Sequence, residues 1–338
     1  MAPPATFPSL KRFIGWAKET TPGTPVAPVA YLPITKFDWN DKPTWLEDKA
    51  LRGVMGDDVF NLIQGVQICE IDMAGPVFGD EFGYVLGNIF GADDTTGASA
   101  PFTHKFSLLN SLSGQGTTHT ITQYYGPEPT HNARQFSGTC LSDVGLTFNA
   151  ETEMLMWTAK GISWVSNVAA ATPTSTFTAT KPLPSWQAVL GVGGPASGGT
   201  QVLSIYKGEF NLKRALRPYF TAQNSQNPYI IQRGGLSTDF KLTYVAADET
   251  ALTTMRNNTQ PQVQCVVNNG LTLGNAIVVQ VDMQQAAYTE ARPNFGREAI
   301  EFDVTGRGIF NSTNVGTSGG LGPTTWTLQN AIAASTFI

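Results

Sequence analysis

At 338 residues the chain is long enough for two domains of ordinary size, and its 41% hydrophobic content can fill a core in each. Charged residues make up only 14% and the net charge is −5, which excludes a generic basic surface for nucleic acid. With Gly 34 and Pro 21 the chain must turn often, which favours an all-β architecture over a helical one.

Cys69, Cys140 and Cys265 are odd in number and far apart, without the paired spacing of a zinc site or a disulfide framework. They read as buried thiols of a reducing compartment. No apolar run approaches the ~18 residues of a membrane span. The opening MAPPATFPSLKRF lacks the apolar core of a signal peptide. The expectation is a soluble protein, made in a cytoplasm, with no membrane partner.

Taken in chain order, residues 1–30 are rich in Pro, Thr and Ala and read as an extended arm. Strands are expected at 31–41 and 65–73. Phe78, Phe82, Val85, Leu86, Ile89 and Phe90 then fall on one helical face, with Asp80 and Glu81 in the first turn and Gly91 as a stop. Residues 92–101 read as a loop, and strands follow at 102–109, 118–125, 135–149 and 153–164. A first β-domain therefore spans 31–165, and the Ala/Thr/Pro/Ser/Gly stretch 166–202 reads as a linker. A second domain, 203–311, has strands at 203–213 and 236–245, a helix near 247–257, and strands at 262–268, 276–288 and 297–310. Residues 312–338 form a tail whose end, TWTLQNAIAASTFI, is apolar enough to dock.

The two domains share more than an order of elements. Residues 34–40 read ITKFDWN and residues 205–211 read IYKGEFN, with the lysine, acid, aromatic and asparagine at the same spacing. Each unit then closes on a glycine beside a base, at Thr158–Ile162 and at Thr305–Ile309. This is the pattern of a duplicated β-domain.

Catalytic signatures are missing. There is no Gly-x-Ser-x-Gly elbow and no phosphate-cradling Gly-x-x-x-x-Gly-Lys loop. His104, His119 and His131 have no partners at metal-ligand spacing and read as surface or hydrogen-bonded structural histidines. Asp57-Asp58 and Asp93-Asp94 read as turn residues rather than calcium ligands. No enzyme, cofactor or metal is expected. Several strands have one apolar and one polar face: Phe37 and Trp39 alternate with Lys36, Asp38 and Asn40, and Ile300, Phe302 and Val304 alternate with Glu301, Asp303, Thr305 and Arg307.

Four stretches carry a resemblance: Gly15–Pro25 (GWAKETTPGTP); Lys49–Gly53 followed by a strand and Gly75-Pro76; Phe102–Phe106 with Thr120–Thr122; and Phe136–Leu141 followed by two strands ending in Lys160-Gly161. Through them the chain resembles the tail tube proteins, or major tail proteins, of long-tailed siphovirus-type bacteriophages. The resemblance implies tandem β-sandwich or barrel domains, each with a short flanking helix. Sheets of neighbouring domains would close into a ring around a channel, and rings would stack head to tail. Residues 1–30, the 41–64 loop and the tail are the segments expected to bridge rings. A duplicated chain would complete a six-domain ring with three copies, hexamers being the alternative.

Implied partners are the chain itself, the tape measure protein, and the tail terminator and distal tail proteins. DNA would pass through the lumen without sequence-specific binding, since strong phosphate contacts would retard it. The polar strand positions Lys36, Asp38, Asn40, Lys207, Glu209, Asn211, Asp239, Lys241, Glu301 and Asp303 are the candidates to line that lumen. Other readings are a carbohydrate-binding or glycan-degrading β-protein, which needs aromatic platforms such as Trp39, Trp45 or Trp186 beside paired carboxylates, and another virion surface or decoration protein.

Overall fold

The computed structural model describes residues 9–50, 52–53, 55, 59–125, 132–169, 176–271, 275–296, 298–334 and 336–338. His131 and the Asp57-Asp58 pair lie outside them. The described chain is mainly β, with two antiparallel sheets and two helices.

The first half contains β1 (Phe13–Lys18), β2 (Ala30–Leu32), β3 (Lys36–Asp48), β4 (Asn61–Pro76), α1 (Phe82–Phe90), β5 (Gly91–Thr96), β6 (Phe102–Leu108), β7 (His119–Tyr125), β8 (Asn132–Asn149) and β9 (Met156–Ser163). Three short strands follow: β10 (Asn167–Ala169), β11 (Val189–Val192) and β12 (Gln201–Val202). The second half contains β13 (Ile205–Tyr219), β14 (Ile230–Val245), α2 (Thr250–Asn257), β15 (Val263–Asn268), β16 (Val278–Met283), β17 (Ala286–Asn294), β18 (Glu301–Gly308) and β19 (Thr325–Asn330).

Eight of these strands form one antiparallel run, β3-β4-β9-β8-β13-β14-β18-β17. It consists of the same four-strand order twice, joined where β8 pairs with β13. The first part of β8 leaves this run to pair with β7 and β10, β7 pairs with β1, and β1 with β2. The other sheet runs β12-β11-β15-β16-β19-β6-β5.

The irregularities of the run repeat as well. The β3/β4 ladder shifts between Pro43 and Trp45, and the β13/β14 ladder between Arg214 and Leu216. The β8/β9 ladder shifts between Leu141 and Asp143, and the β17/β18 ladder between Tyr288 and Glu290. A bulge inserts one unpaired residue and fixes register locally. Superimposing the bulges aligns Lys36 with Lys207 and Asn40 with Asn211, as the opening motif requires. It also aligns Gly161 with Gly306, for a physical reason. A Cβ on Gly161 would lie 2.4 Å from the Cys140 carbonyl oxygen, and one on Gly306 would lie 2.6 Å from that of Ala287, the matching residue beside the second bulge. The equivalence of Thr158 with Thr305 is therefore corrected by two residues: Thr158 corresponds to Asp303. A two-residue slip keeps every side chain on its own face, so the polar and apolar faces are unaffected.

Phe37, Met73, Leu146, Phe210, Phe240 and Val304 project from the run into a buried cluster that takes residues from both halves and from the other sheet. Strand alternation puts these residues on one face and their polar neighbours on the other.

Several expectations change where tertiary contacts overrule local composition. The N-terminal stretch expected as an arm contains β1, paired with β7, with Trp16 fully buried. Half of the 41–64 loop is strand, because β3 runs on to Asp48 and β4 starts at Asn61, with Asp48 paired to Asn61. Residues 92–101 contribute β5, held by an Asp93–His104 contact of 2.9 Å. The 276–288 strand divides into β16 and β17. The 166–202 stretch supplies β10, β11 and β12 and buries Leu183 and Leu190.

The tail is built into the fold. β19 lies between β16 of the second half and β6 of the first, and Trp326, Leu328 and Phe337 are buried. Beyond β19 the chain crosses α1. Cβ atoms on Gly83 and Gly87 would meet Phe337 and Ile338 at 2.5 and 2.6 Å, so glycine there leaves room for the crossing segment. Two buried histidines hold it. His104 Nε2 donates to the Ile332 carbonyl at 2.9 Å and His119 Nε2 to that of Phe337 at 3.1 Å. Burial pushes His119 down to about 3, so it stays neutral, with Asn88 Nδ2 donating to its Nδ1 at 2.6 Å. Burial also works against protonation of His104, but the Asp93 carboxylate outweighs it and raises this residue. Both histidines are thus structural, and the three cysteines are free and buried.

Candidate functional site: one polar face shared by two units

The face of the eight-stranded run opposite the core carries the polar members of each alternation. On β3 these are Lys36, Asp38, Asn40 and Lys42; on β13 they are Lys207, Glu209, Asn211 and Lys213. β4 adds Glu70 and Asp72, β9 adds Lys160, and β8 adds Asp143. β14 adds Asp239 and Lys241, and β18 adds Asp303 and Arg307.

Acids and bases interleave across the strands. Lys36 Nζ donates to Asp72 at 2.6 Å and stands 3.5 Å from Asp38. Asp72 chiefly, with Asp38 adding charge, raises the pKa of Lys36. Lys213 Nζ donates to Asp239 at 2.8 Å, which raises this lysine too, with smaller contributions from Asp143 across the β8/β13 junction and from Glu209. Asn211 Nδ2 donates to Glu209 at 2.6 Å and to Asp239 at 3.1 Å. Lys241 lies 3.8 Å from Glu209, Lys42 pairs with Glu70, and Thr243 Oγ1 donates to Asp303 at 2.8 Å. Exposed pairs like these contribute little stability, because solvent screens them and ordering two long side chains costs entropy. Their effect is to leave an acid beside Lys36, Lys42, Lys213 and Lys241, so the face is mixed and close to balanced in charge.

All ten residues singled out in the sequence belong to strands of this run, at positions whose alternation gives this face. Glu301 departs from the others in being buried, at 5% exposure, where β18 enters the run beside Val245. Glu70, Asp72 and Arg307 share the alternation read from the sequence without being placed among the ten, and Lys42, Asp143, Lys160 and Lys213 were not anticipated on this face. The same period-two alternation marks them, but only the ladder shows that their strands are neighbours.

The motif residues outside this face hold the scaffold. The Glu19 carboxylate is buried and accepts from Gly23 N at 2.7 Å, Thr118 Oγ1 at 2.6 Å, Thr120 Oγ1 at 2.7 Å and Gly138 N at 2.8 Å. Four donors compensate the cost of burying this carboxylate. They tie the GWAKETTPGTP stretch to Phe136–Leu141. Gly23 and Gly138 have positive φ and pack under Trp164, where an added Cβ would lie 2.1 Å from the ring at Gly23 and 3.1 Å from it at Gly138.

The tryptophans that a glycan platform would use are dispersed. Trp39 is half-buried, Trp45 stands on the outer part of the β3/β4 hairpin, and Trp186 lines a separate groove of about 830 Å³ with Met154, Pro184 and Ile277. Among the described residues no group of three His, Cys, Asp or Glu side chains could hold a metal ion.

Residues 9–327 match the family described as phage tail tube protein. The chain belongs to this family. It is a structural component of a phage tail, and its two-sheet β architecture agrees with that membership. A search of curated proteins found no match. The family match covers both four-strand units, so the repeated run and its polar face lie wholly within the tail tube region.

Proposed function

We propose that this tail tube protein forms rings around a central channel, and that the rings stack into a siphovirus-type tail that holds the tape measure protein and conducts DNA during ejection. The observation that carries the reading is the single polar face spanning two copies of one four-strand unit. Rotated about a ring axis, such a run lines a lumen with little waste of surface, and its apolar face packs outward on the other sheet. Three chains then supply six units, giving a pseudo-sixfold trimer. Nine of the ten candidate residues line this lumen, and the buried Glu301 lies behind its margin.

The interleaved acids support passage of DNA. Phosphates meet lysines already neighboured by carboxylates, so few cations are available to displace counterions, and binding stays weak and sequence-independent. Assembly takes place in the host cytoplasm, consistent with three free cysteines, and the ends of the tube meet terminator and distal tail proteins.

Electron microscopy of the purified protein tests the reading. Rings or tubes with a central hole and three chains per layer are expected. Six whole chains per layer would exclude the trimer, and solid particles without a hole would exclude the channel.

A further inference from the structure

The β8/β13 junction has no counterpart at the outer ends of the run. β17 at one end and β3 at the other each have a single neighbour in the run. By the shared bulges, β17 is the equivalent of β8, and β3 is the equivalent of β13. The two open edges are thus the two halves of the same junction, carried on opposite sides of one chain. We infer that β17 pairs with β3 of a second copy of this chain in the register of β8 on β13, so that Glu290 faces Lys42, Arg292 faces Asn40 and Asn294 faces Asp38. This inference rests on the ring reading above and supplies its contact.

The template register pairs Asp143 with Lys213, Gly145 with Asn211 and Thr147 with Glu209. Transferred through the bulges, Asp143 becomes Glu290 and Lys213 becomes Lys42. An acid therefore faces a base at both junctions, although neither residue is identical on the acidic side. Asn211 becomes Asn40 and Glu209 becomes Asp38, while Gly145 and Thr147 become Arg292 and Asn294. All these transferred positions are solvent-exposed in the single chain.

The apolar side gives an independent indication. Phe148 is 2% exposed, covered by β13 with its ring against Gly208. Its equivalent Phe295 is 72% exposed, at the end of the strand whose outer edge has no partner among the described residues. The same position is thus buried where the junction is made and bare where it is open. In the transferred register Phe295 comes opposite Phe37, an aromatic pair where the internal junction has a ring over glycine.

Cysteine pairs test the register. Opposed residues of an antiparallel ladder have Cα atoms about 4.5–5.5 Å apart, within disulfide range, whereas diagonal neighbours are about 7–8 Å apart. A chain carrying both Arg292→Cys and Asn40→Cys is assembled, imaged and then oxidised. A ladder of covalent multimers on a non-reducing gel is expected, while Asn294→Cys with Asn40→Cys, slipped by two residues, stays largely monomeric. Rings that form without linking the first pair, or that link the slipped pair instead, overturn the register. Absence of rings from the unmutated protein overturns the ring reading and this junction with it. Charge reversal avoids new thiols: Glu290→Lys lowers ring yield severalfold and Lys42→Glu in the same chain restores it. Failure of the double variant to recover overturns the acid–base pairing.

Discussion

α1 and α2 occupy the same place in the two units, each after the second strand of its four-strand run, yet their surroundings differ. All the residues of α1 are buried, whereas α2 buries only Ala251. The difference comes from the C-terminal segment. Because β19 and the residues after it occur once in the chain, they can cover only one helix, and they cover α1. A duplicated fold need not be duplicated in its packing: the repeated strands set the shape, and one unrepeated segment decides which half has the deeper core. Arg214 adds to this asymmetry. From β13 in the second unit it donates to the last carbonyls of α1, at 2.7 Å to Ile89 and 3.2 Å to Phe90. Its position in the first unit is taken by Pro43.

The sharpest way to break this comparison is to remove the cover. Phe337→Ala should cost about 3–5 kcal/mol, as for other large-to-small changes at fully buried rings. Met255→Ala on the half-covered α2 should cost no more than about 1 kcal/mol. Urea denaturation of both variants checks this, and equal losses would show that the segment does not distinguish the helices.

A smaller effect is expected at the notch. Alanine is preferred over glycine by about 1 kcal/mol within a helix. At Gly83 a Cβ would meet the Phe337 ring, and overpacking costs about 1–3 kcal/mol. Gly83→Ala should therefore destabilise the native chain but stabilise the Phe337→Ala variant. A double-mutant cycle measures that reversal of sign, and additive effects would refute the notch.

The smallest effect concerns the acids that open the helices. Burial, and secondarily the charge of Asp80, push Glu81 up to about 8, and its Oε2 has no hydrogen-bond partner among the described residues. Asp248, near the start of α2, moves the other way because the Thr250 hydroxyl and amide stabilise its charged form. A carboxyl whose folded pKa is raised favours folding fully below its unfolded value of 4.5, and loses that contribution as pH rises through about 8. Glu81→Gln should therefore match the native chain at pH 4 and exceed it by about 1 kcal/mol at pH 8. Urea midpoints across that range check the sign, and a Glu81→Gln gain larger at pH 4 than at pH 8 would reverse the assignment.

Much of the polar face was legible because alternation is a local signal. Lys36, Asp38 and Asn40 could be assigned to one side of β3 without any knowledge of its neighbours. The ITKFDWN and IYKGEFN repeat gave the correct alignment, as the bulges confirm. The TAKGI and TGRGI pair misled by two residues, because a glycine beside a base recurs at two positions along β18 and composition alone cannot choose between them. The spacing of Phe82, Val85, Leu86, Ile89 and Phe90 marked a helix with one apolar face, but nothing local showed that its other face is buried too, or that Gly83 and Gly87 make space for a segment about 250 residues later. The placement of β19 between β6 and β16 was hidden for the same reason. It depends on which strand edges remain open after the rest of the chain has folded.

The internal β8/β13 junction also has a consequence for the newly made protein. An unfused four-strand unit would present two bare strand edges, so two units would present four; among the described residues fusion leaves two. Bare edges invite unprogrammed pairing with any extended chain. The two that remain carry Lys36, Asp38 and Lys42 on one side, and Glu290, Arg292 and Pro293 on the other. Charge and proline there discourage casual partners while the protein accumulates. Linking the units in one polypeptide thus shields half of the adhesive surface before any copy has met another.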